Sequence, residues 1–304
     1  MPQKVLIDTD PGQDIDDLLA LHFALLRPEL DIRAITAATW PTPGRARLVK
    51  RLLRYMGREG TIPVAAGMDL PLRAVDPDEL AWLHRLDNSM NHRSFAEPHD
   101  PRDEADPVDA VDLIIRTVEA HPGEVALLCI APLTNIACAL QRKPEIVAKI
   151  PYIAMMGGET ERNRAEHNVQ FDYVAADIVL RSGIPVMMGT WDVTRRFTLS
   201  LSRDCEQLAA QSAPVCKALA DAIHVWHPAQ SWKPGPVMYD IFPILYAIDP
   251  AKYYTLETAS IRVETCGQHT IGYTVRSGSA KHIKVTTECN VEAVREIYMK
   301  TVLA

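Results

Sequence analysis

The chain lacks the cysteine spacing of a zinc module or a disulfide scaffold. Its six cysteines, at 129, 138, 205, 216, 266 and 289, form no CxxC and stand beside no paired histidines. In a chain of this size they read as reduced thiols, several of them buried. No run approaches the roughly eighteen apolar residues of a membrane span, so none is expected. The N-terminus, Met-Pro-Gln-Lys-Val-Leu-Ile-Asp, has no long apolar stretch of a secretory signal, and the expected location is cytoplasmic. Positive charge is also short: 32 Lys and Arg against 39 Asp and Glu give a formal net charge of -7. That balance argues against nucleic acid, which is gripped by neutralising phosphates, and it suits a bound cation. No linker, composition shift or repeat divides the chain, so one domain over 1–304 is expected.

What is present is ordinary globular material, 47% hydrophobic and 23% charged over 304 residues, enough to bury a sizeable core. Strand-like and helix-like runs alternate. Residues 4–9, 32–38 and 63–67 read as strands, separated by helices at 16–26 and 45–56. The first helix is apolar on nearly every face; the second turns Leu48, Leu52 and Leu53 inward. Helices at 110–120, 133–140 and 173–181 then alternate with strands at 124–130, 152–156 and 186–189. This rhythm predicts an α/β fold with a mostly parallel, Rossmann-like central sheet flanked by helices. Strand-like pieces at 257–264, 270–276 and 282–287 follow without helices and predict a small antiparallel extension, closed by a helix at 291–302. Two irregular stretches interrupt the pattern: polar residues 76–106, and 226–237 with three prolines and two tryptophans. Long irregular segments in a compact fold are commonly functional flaps.

The informative stretch is Asp8-Thr9-Asp10-Pro11-Gly12-Gln13-Asp14-Ile15-Asp16-Asp17. Five carboxylates in ten residues lie between an apolar strand and an apolar helix, where open α/β sheets place ligands. Crowded anions repel and resist desolvation unless a cation compensates. With no His or Cys cluster, a hard cation with oxygen ligands is the natural partner. Helix capping by Asp14 or Asp16 is the plainer reading, but it accounts for one or two of the five.

Here the chain resembles the inosine–uridine nucleoside hydrolase family, whose signature is a strand followed by D-x-D-P-G-x-D-D and a helix. This chain has two additional residues inside that signature, so Asp16-Asp17 take the place of the adjacent aspartates. Ile35-Thr36, Pro63-Val64-Ala65-Ala66-Gly67, Pro132-Leu133-Thr134-Asn135-Ile136-Ala137 and Met155-Met156-Gly157-Gly158 continue the resemblance in the family's order. So do Ala165-Glu166-His167-Asn168, Trp191-Asp192-Val193-Thr194 and Tyr239-Asp240. The resemblance implies a nucleoside hydrolase fold, cleavage of a ribonucleoside to base and ribose, and a homodimer or homotetramer. It implies Ca2+ held by Asp10, Asp17, Asp240 and the carbonyl of Ile130, with Asp10 also the base that activates water. Asp16 would accept from the ribose 2′-hydroxyl, and Glu166 and Asn168 would hold the other hydroxyls.

Three positions depart from the family pattern. Tyr239 stands where many members have a histidine that protonates the leaving base; a phenol is a poor donor at neutral pH but can stack. Leaving-group help is then sought from His227, His224 or His84, with His227 favoured because its segment corresponds to the flap over the base. Trp226 and Trp232 are candidates for a stacking wall. Trp40, where the family has Gly-Asn, is expected to narrow the pocket, and the family's HG pair is missing around His84-Arg85. Two other readings compete. One is a calcium-dependent riboside-binding protein without turnover. The other is a phosphatase of the haloacid dehalogenase type with Asp8 as nucleophile, which leaves the later aspartates without a role.

Overall fold

The computed structural model describes residues 1–86, 95, 97–162, 164–278 and 282–304, without the side chains of 84–86. An eight-stranded sheet runs in the order β3-β2-β1-β4-β5-β6-β10-β7. Its members are β1 (Gln3–Thr9), β2 (Leu30–Ala37), β3 (Val64–Ala66), β4 (Val125–Cys129), β5 (Ile153–Met156), β6 (Val186–Gly189), β7 (Tyr254–Ala259) and β10 (Ile283–Cys289). Every pairing in it is parallel except β10 with β7. A separate antiparallel ribbon pairs β8 (Ile261–Val263) with β9 (Thr274–Arg276). The central strands are buried along their length, β4 at all five positions, as expected of a sheet covered on both faces.

Two apolar layers sandwich the sheet. One packs α1 (Asp16–Leu25), α2 (Thr42–Tyr55) and the helices Pro214–Trp226, Ile241–Ile248 and Val291–Val302 on one face. The other packs Ala110–Ala120, Thr134–Arg142 and Tyr173–Arg181 on the opposite face. All ten residues of α1 are buried, which explains its lack of amphipathic pattern: it is covered on every side.

Strand and helix positions expected from alternation agree with the structure to within a few residues in the first two-thirds of the chain. The late pieces differ. The expected strand at 257–264 is two strands in different sheets, broken at Ser260, and β10 joins the main sheet parallel to β6. Only β7 and the ribbon form the antiparallel part. The polar stretch after residue 76 contains a helix, Pro77–Leu86, whose charged composition hid its period.

The sheet order fixes where ligands can sit. β1 lies between β2 and β4, so the connections leaving the carboxyl ends of β1 and β4 part in opposite directions and leave a crevice. The Ile130 amide donates to the Asp8 carbonyl (2.8 Å), holding the two strand ends together at its floor.

Candidate active site

The aspartate-rich loop is shaped by hydrogen bonds rather than by helix capping. Asp8 ends in the core, completely buried. Its Oδ1 accepts from Thr36 Oγ1 and from Asn135 Nδ2 (2.8 Å). Burial pushes its carboxyl up to about 7, against the pull of those two donors. Asp17 Oδ1 accepts from Thr9 Oγ1 (2.6 Å) and from the Asp10 amide (3.0 Å), tying the loop's two ends together. Ile15, just before α1, makes no side-chain cap, and Asp14 accepts only from the adjacent Ile15 amide within the loop (2.9 Å). Capping therefore leaves Asp10, Asp16 and Asp17 unexplained.

Beneath the loop lies a fully buried arginine from α2. Arg45 donates to the carbonyls of Asp10, Pro11 (3.0 Å), Thr39 (3.1 Å) and Trp40 (3.0 Å). Thr39 sits at φ 61°, a left-handed conformation unusual for a β-branched residue. Its hydroxyl donates to Asp10 Oδ2 (3.2 Å). The guanidinium and the strained threonine together aim the Asp10 carboxylate into the crevice.

That crevice opens into a cavity of about 380 Å3. Asp10, Asp14, Asp16, Asp17, Ile130, Glu166, Asn168, Tyr239 and Asp240 line it, with Gln13, Met156, His167, Trp191, Trp232 and Lys233. Carboxylate oxygens of Asp16, Asp17 and Asp240 come within 4.8 Å of one another. Asp240 arrives from a distant part of the sequence, just before helix Ile241–Ile248. Burial raises Asp10, Asp16 and Asp240 well above the ordinary carboxylate range, and repulsion from neighbouring aspartates, Asp17 in each case, adds to it. Asp17 is raised to about 6 by burial, with its hydrogen bonds opposing. Three buried acids around one point with a fourth, half-buried Asp10, lining the same cavity, all oxygen donors, fit a hard cation. The convergent trio contains Asp16 where the sequence reading expected Asp10; Asp10 lines the same cavity beside it.

Glu166 and Asn168 are held at the wall. Glu166 caps the short helix His167–Phe171, its carboxylate accepting from the amides of Asn168 (2.9 Å), Val169 (3.1 Å) and Gly158 (2.9 Å). The polar-turn reading of these residues is thus also true, and it fixes the carboxylate in place. Asn168 donates to the Met156 carbonyl (3.2 Å).

Five expected residues, His227, His224, Trp226, Trp40 and Asp8, stand elsewhere. His227 is half-buried and lines a separate groove with His224, Cys205 and Ile223, outside the cavity. It follows the helix Pro214–Trp226 directly, and that helix turns it away. Trp226 is fully buried core, without a place on the cavity wall. Trp232, 76% exposed, takes the wall position instead. Trp40 lines a narrow crevice next door, which shares Asp10, Gln13 and His167 with the cavity. The side chain of His84 lies outside the described residues. Asp8, fully buried and absent from the cavity lining, cannot serve as a phosphatase nucleophile. Lys233, His167 and Trp191 were missed as site residues. The last two sit inside motifs already singled out; Lys233 lies in an aperiodic segment that marks no direction for its side chain.

A family model described as inosine-uridine preferring nucleoside hydrolase matches residues 5–296. The pyrimidine-specific ribonucleoside hydrolase RihA of Citrobacter koseri is 34% identical over 287 residues, 90% of this chain and 88% of its own length. Among solved structures, the purine-preferring ribonucleoside hydrolase from Gardnerella vaginalis superposes with a TM-score of 0.86 at 25% identity, covering 99% of this chain and 98% of that one. A plant nucleoside hydrolase superposes at 0.83 and 27% identity over 100% of both chains.

Proposed function

The chain belongs to the inosine-uridine preferring nucleoside hydrolase family, and on that premise we propose that it hydrolyses the N-glycosidic bond of a ribonucleoside, using calcium and a water activated by Asp10. The observation that supports this best is the meeting of Asp10, Asp16, Asp17 and Asp240 at one buried cavity that is also lined by Ile130. Leaving so many acids together without a compensating ion costs several kcal/mol.

Asp10, Asp17, Asp240 and the Ile130 carbonyl would hold the ion, which when bound grips the ribose diol and acidifies a water, though less strongly than zinc does. Asp10, lining the cavity beside the acid trio, takes the proton of the attacking water. Asp16 accepts from the 2′-hydroxyl. Glu166 and Asn168 hold the remaining hydroxyls and set the sugar's pucker. As the C1′–N bond lengthens, the sugar becomes oxocarbenium-like, and the carboxylates around it stabilise that charge. Tyr239 and Trp232 offer flat faces to the base.

The test is ribose release from uridine, cytidine, inosine, adenosine and guanosine, read as reducing sugar. At least one is cleaved; EGTA stops the release and calcium restores it. Asp10→Ala lowers turnover about a thousandfold, the scale of a lost general base. Riboside binding without turnover on every member of the panel would instead make the chain a binding protein, and turnover indifferent to EGTA would remove the metal.

A further inference from the structure

The cavity lining combines acids, aromatic rings and one buried ammonium. Acids cover the side built from the β1 loop and Asp240. The segment after helix Pro214–Trp226 contributes Trp232, Lys233 and Tyr239 to the same cavity. Among the described residues lining the cavity, Lys233 is the one lysine or arginine. It is 6% exposed, unusual for lysine, which is seldom buried unless paired. Its ammonium pairs with Asp14. It also lies 5.6 Å from the Trp226 ring centre, 5.2 Å from Trp232 and 5.6 Å from Tyr239, each face attractive to a cation. A lysine has three N–H donors, and Asp14 takes one. Asp14 itself lies in the loop that is two residues longer than the family signature, so the longer loop and the late segment meet at this contact.

We propose that Lys233 is a catalytic residue, the cationic hydrogen-bond donor that stabilises the departing nucleobase. The inference rests on the hydrolase reading above and supplies what that reading lacks. When the C1′–N bond breaks, its electron pair goes to the base, which becomes negative. Water forms the new C1′–O bond and yields a proton to Asp10, and solvent carries that proton to the base. Until it arrives, the negative charge needs a partner. The ribose diol belongs at the acids, and Trp232 and Tyr239 offer their faces to the base, so the ammonium that lies against both rings stands beside the base. His227, on another groove, cannot reach. Asp14 keeps the ammonium oriented, as preorganised charge must be to act on a developing anion.

The competing account is a purely structural clamp between loop and flap. A substrate whose leaving group needs no help separates the two: p-nitrophenyl β-D-ribofuranoside, beside the best nucleoside of the panel. Lys233→Met should lower the ratio of kcat/KM on the nucleoside to kcat/KM on the nitrophenyl riboside about a hundredfold, the scale of a lost charge-stabilising donor. Lys233→Arg, which keeps the charge, should recover most of that ratio. Equal losses on both substrates would mean a clamp and overturn the assignment, as would an undiminished nucleoside rate. Wild-type protein that cleaves the nitrophenyl riboside but no nucleoside also overturns it. Wild-type protein that cleaves neither defeats the hydrolase reading itself, and Lys233's role with it.

Discussion

Tyr239 and His22 show how burial decides what a single side chain can do. The Tyr239 phenol is raised by burial and by the carboxylates of Asp16 and Asp14, so it offers its ring and keeps its proton. Tyr239→Phe should therefore reduce nucleoside turnover less than about tenfold; a loss beyond about a hundredfold in steady-state kinetics would mean the hydroxyl donates a proton. His22 lies within α1, 1% exposed, and its Nδ1 has no hydrogen-bond partner among the described residues. Burial lowers its pKa to about 4 from an ordinary 6.5. The fold thus prefers the neutral ring, and the stability it contributes is present above pH 6.5 and lost as pH falls towards 4. In calcium, His22→Leu should lose about 2 kcal/mol less than wild type between pH 7 and pH 4.5 by urea unfolding. Parallel losses would acquit His22. The acids of the β1 loop were legible because they crowd together in one short stretch, whereas Glu166 and Asp240 stood out only through the family resemblance. Lys233 was not, because one lysine among prolines and tryptophans has no period or partner spacing to give it a direction.

At the scale of elements, the β1 loop is held by α2 and the flap by a close backbone approach. Arg45 stands at the base of the loop, hydrogen-bonded to four carbonyls. Arg45→Met should destabilise the protein by about 3–5 kcal/mol, as expected when a buried charge network loses a member, and weaken calcium binding measured by calorimetry. Unchanged affinity would show that the loop keeps its shape unaided. In the flap, a Cβ on Gly235 would stand 2.0 Å from the Leu199 carbonyl oxygen, a distance no side chain tolerates. Gly235→Ala must push the flap outward, taking Lys233 with it. It should lower nucleoside turnover at least tenfold while calcium still raises the melting temperature; turnover equal to wild type would mean that the flap's position is immaterial. The β–α alternation made most elements legible, since each strand and helix is long enough to display its pattern. Ser260 was not legible as a break, because β7 and β8 continue one another in sequence and part only through which neighbours they meet.

For the whole molecule, the proposed calcium site links stability to charge. Without calcium, Asp8 and Asp17 titrate at about 7 and about 6 in the fold against 3.8 in the open chain. Raised pKa values mean the fold binds protons more tightly than the unfolded chain. Metal-free stability from these groups is therefore full below pH 4 and lost as pH climbs towards 7. Calcium should reverse this slope, because it needs the acids deprotonated, and at a hundredfold excess over its Kd it adds about 3 kcal/mol. Melting temperature against pH, with EGTA and with calcium, checks both; coincident curves would mean that no ion binds. The topology that gathers the site was only half legible. Parallel alternation predicts a crevice at a switch in strand order, but the sequence does not reveal that β1 lies between β2 and β4.

Asp240 reaches Asp16 and Asp17 across more than two hundred residues of chain. A growing polypeptide displays its acidic loop early yet cannot complete the trio until three-quarters of its length has been made and the helix Ile241–Ile248 has packed against α1. Under the proposed calcium site, ion capture would be a receipt for finished assembly, and a fragment ending before Asp240 should ignore calcium altogether.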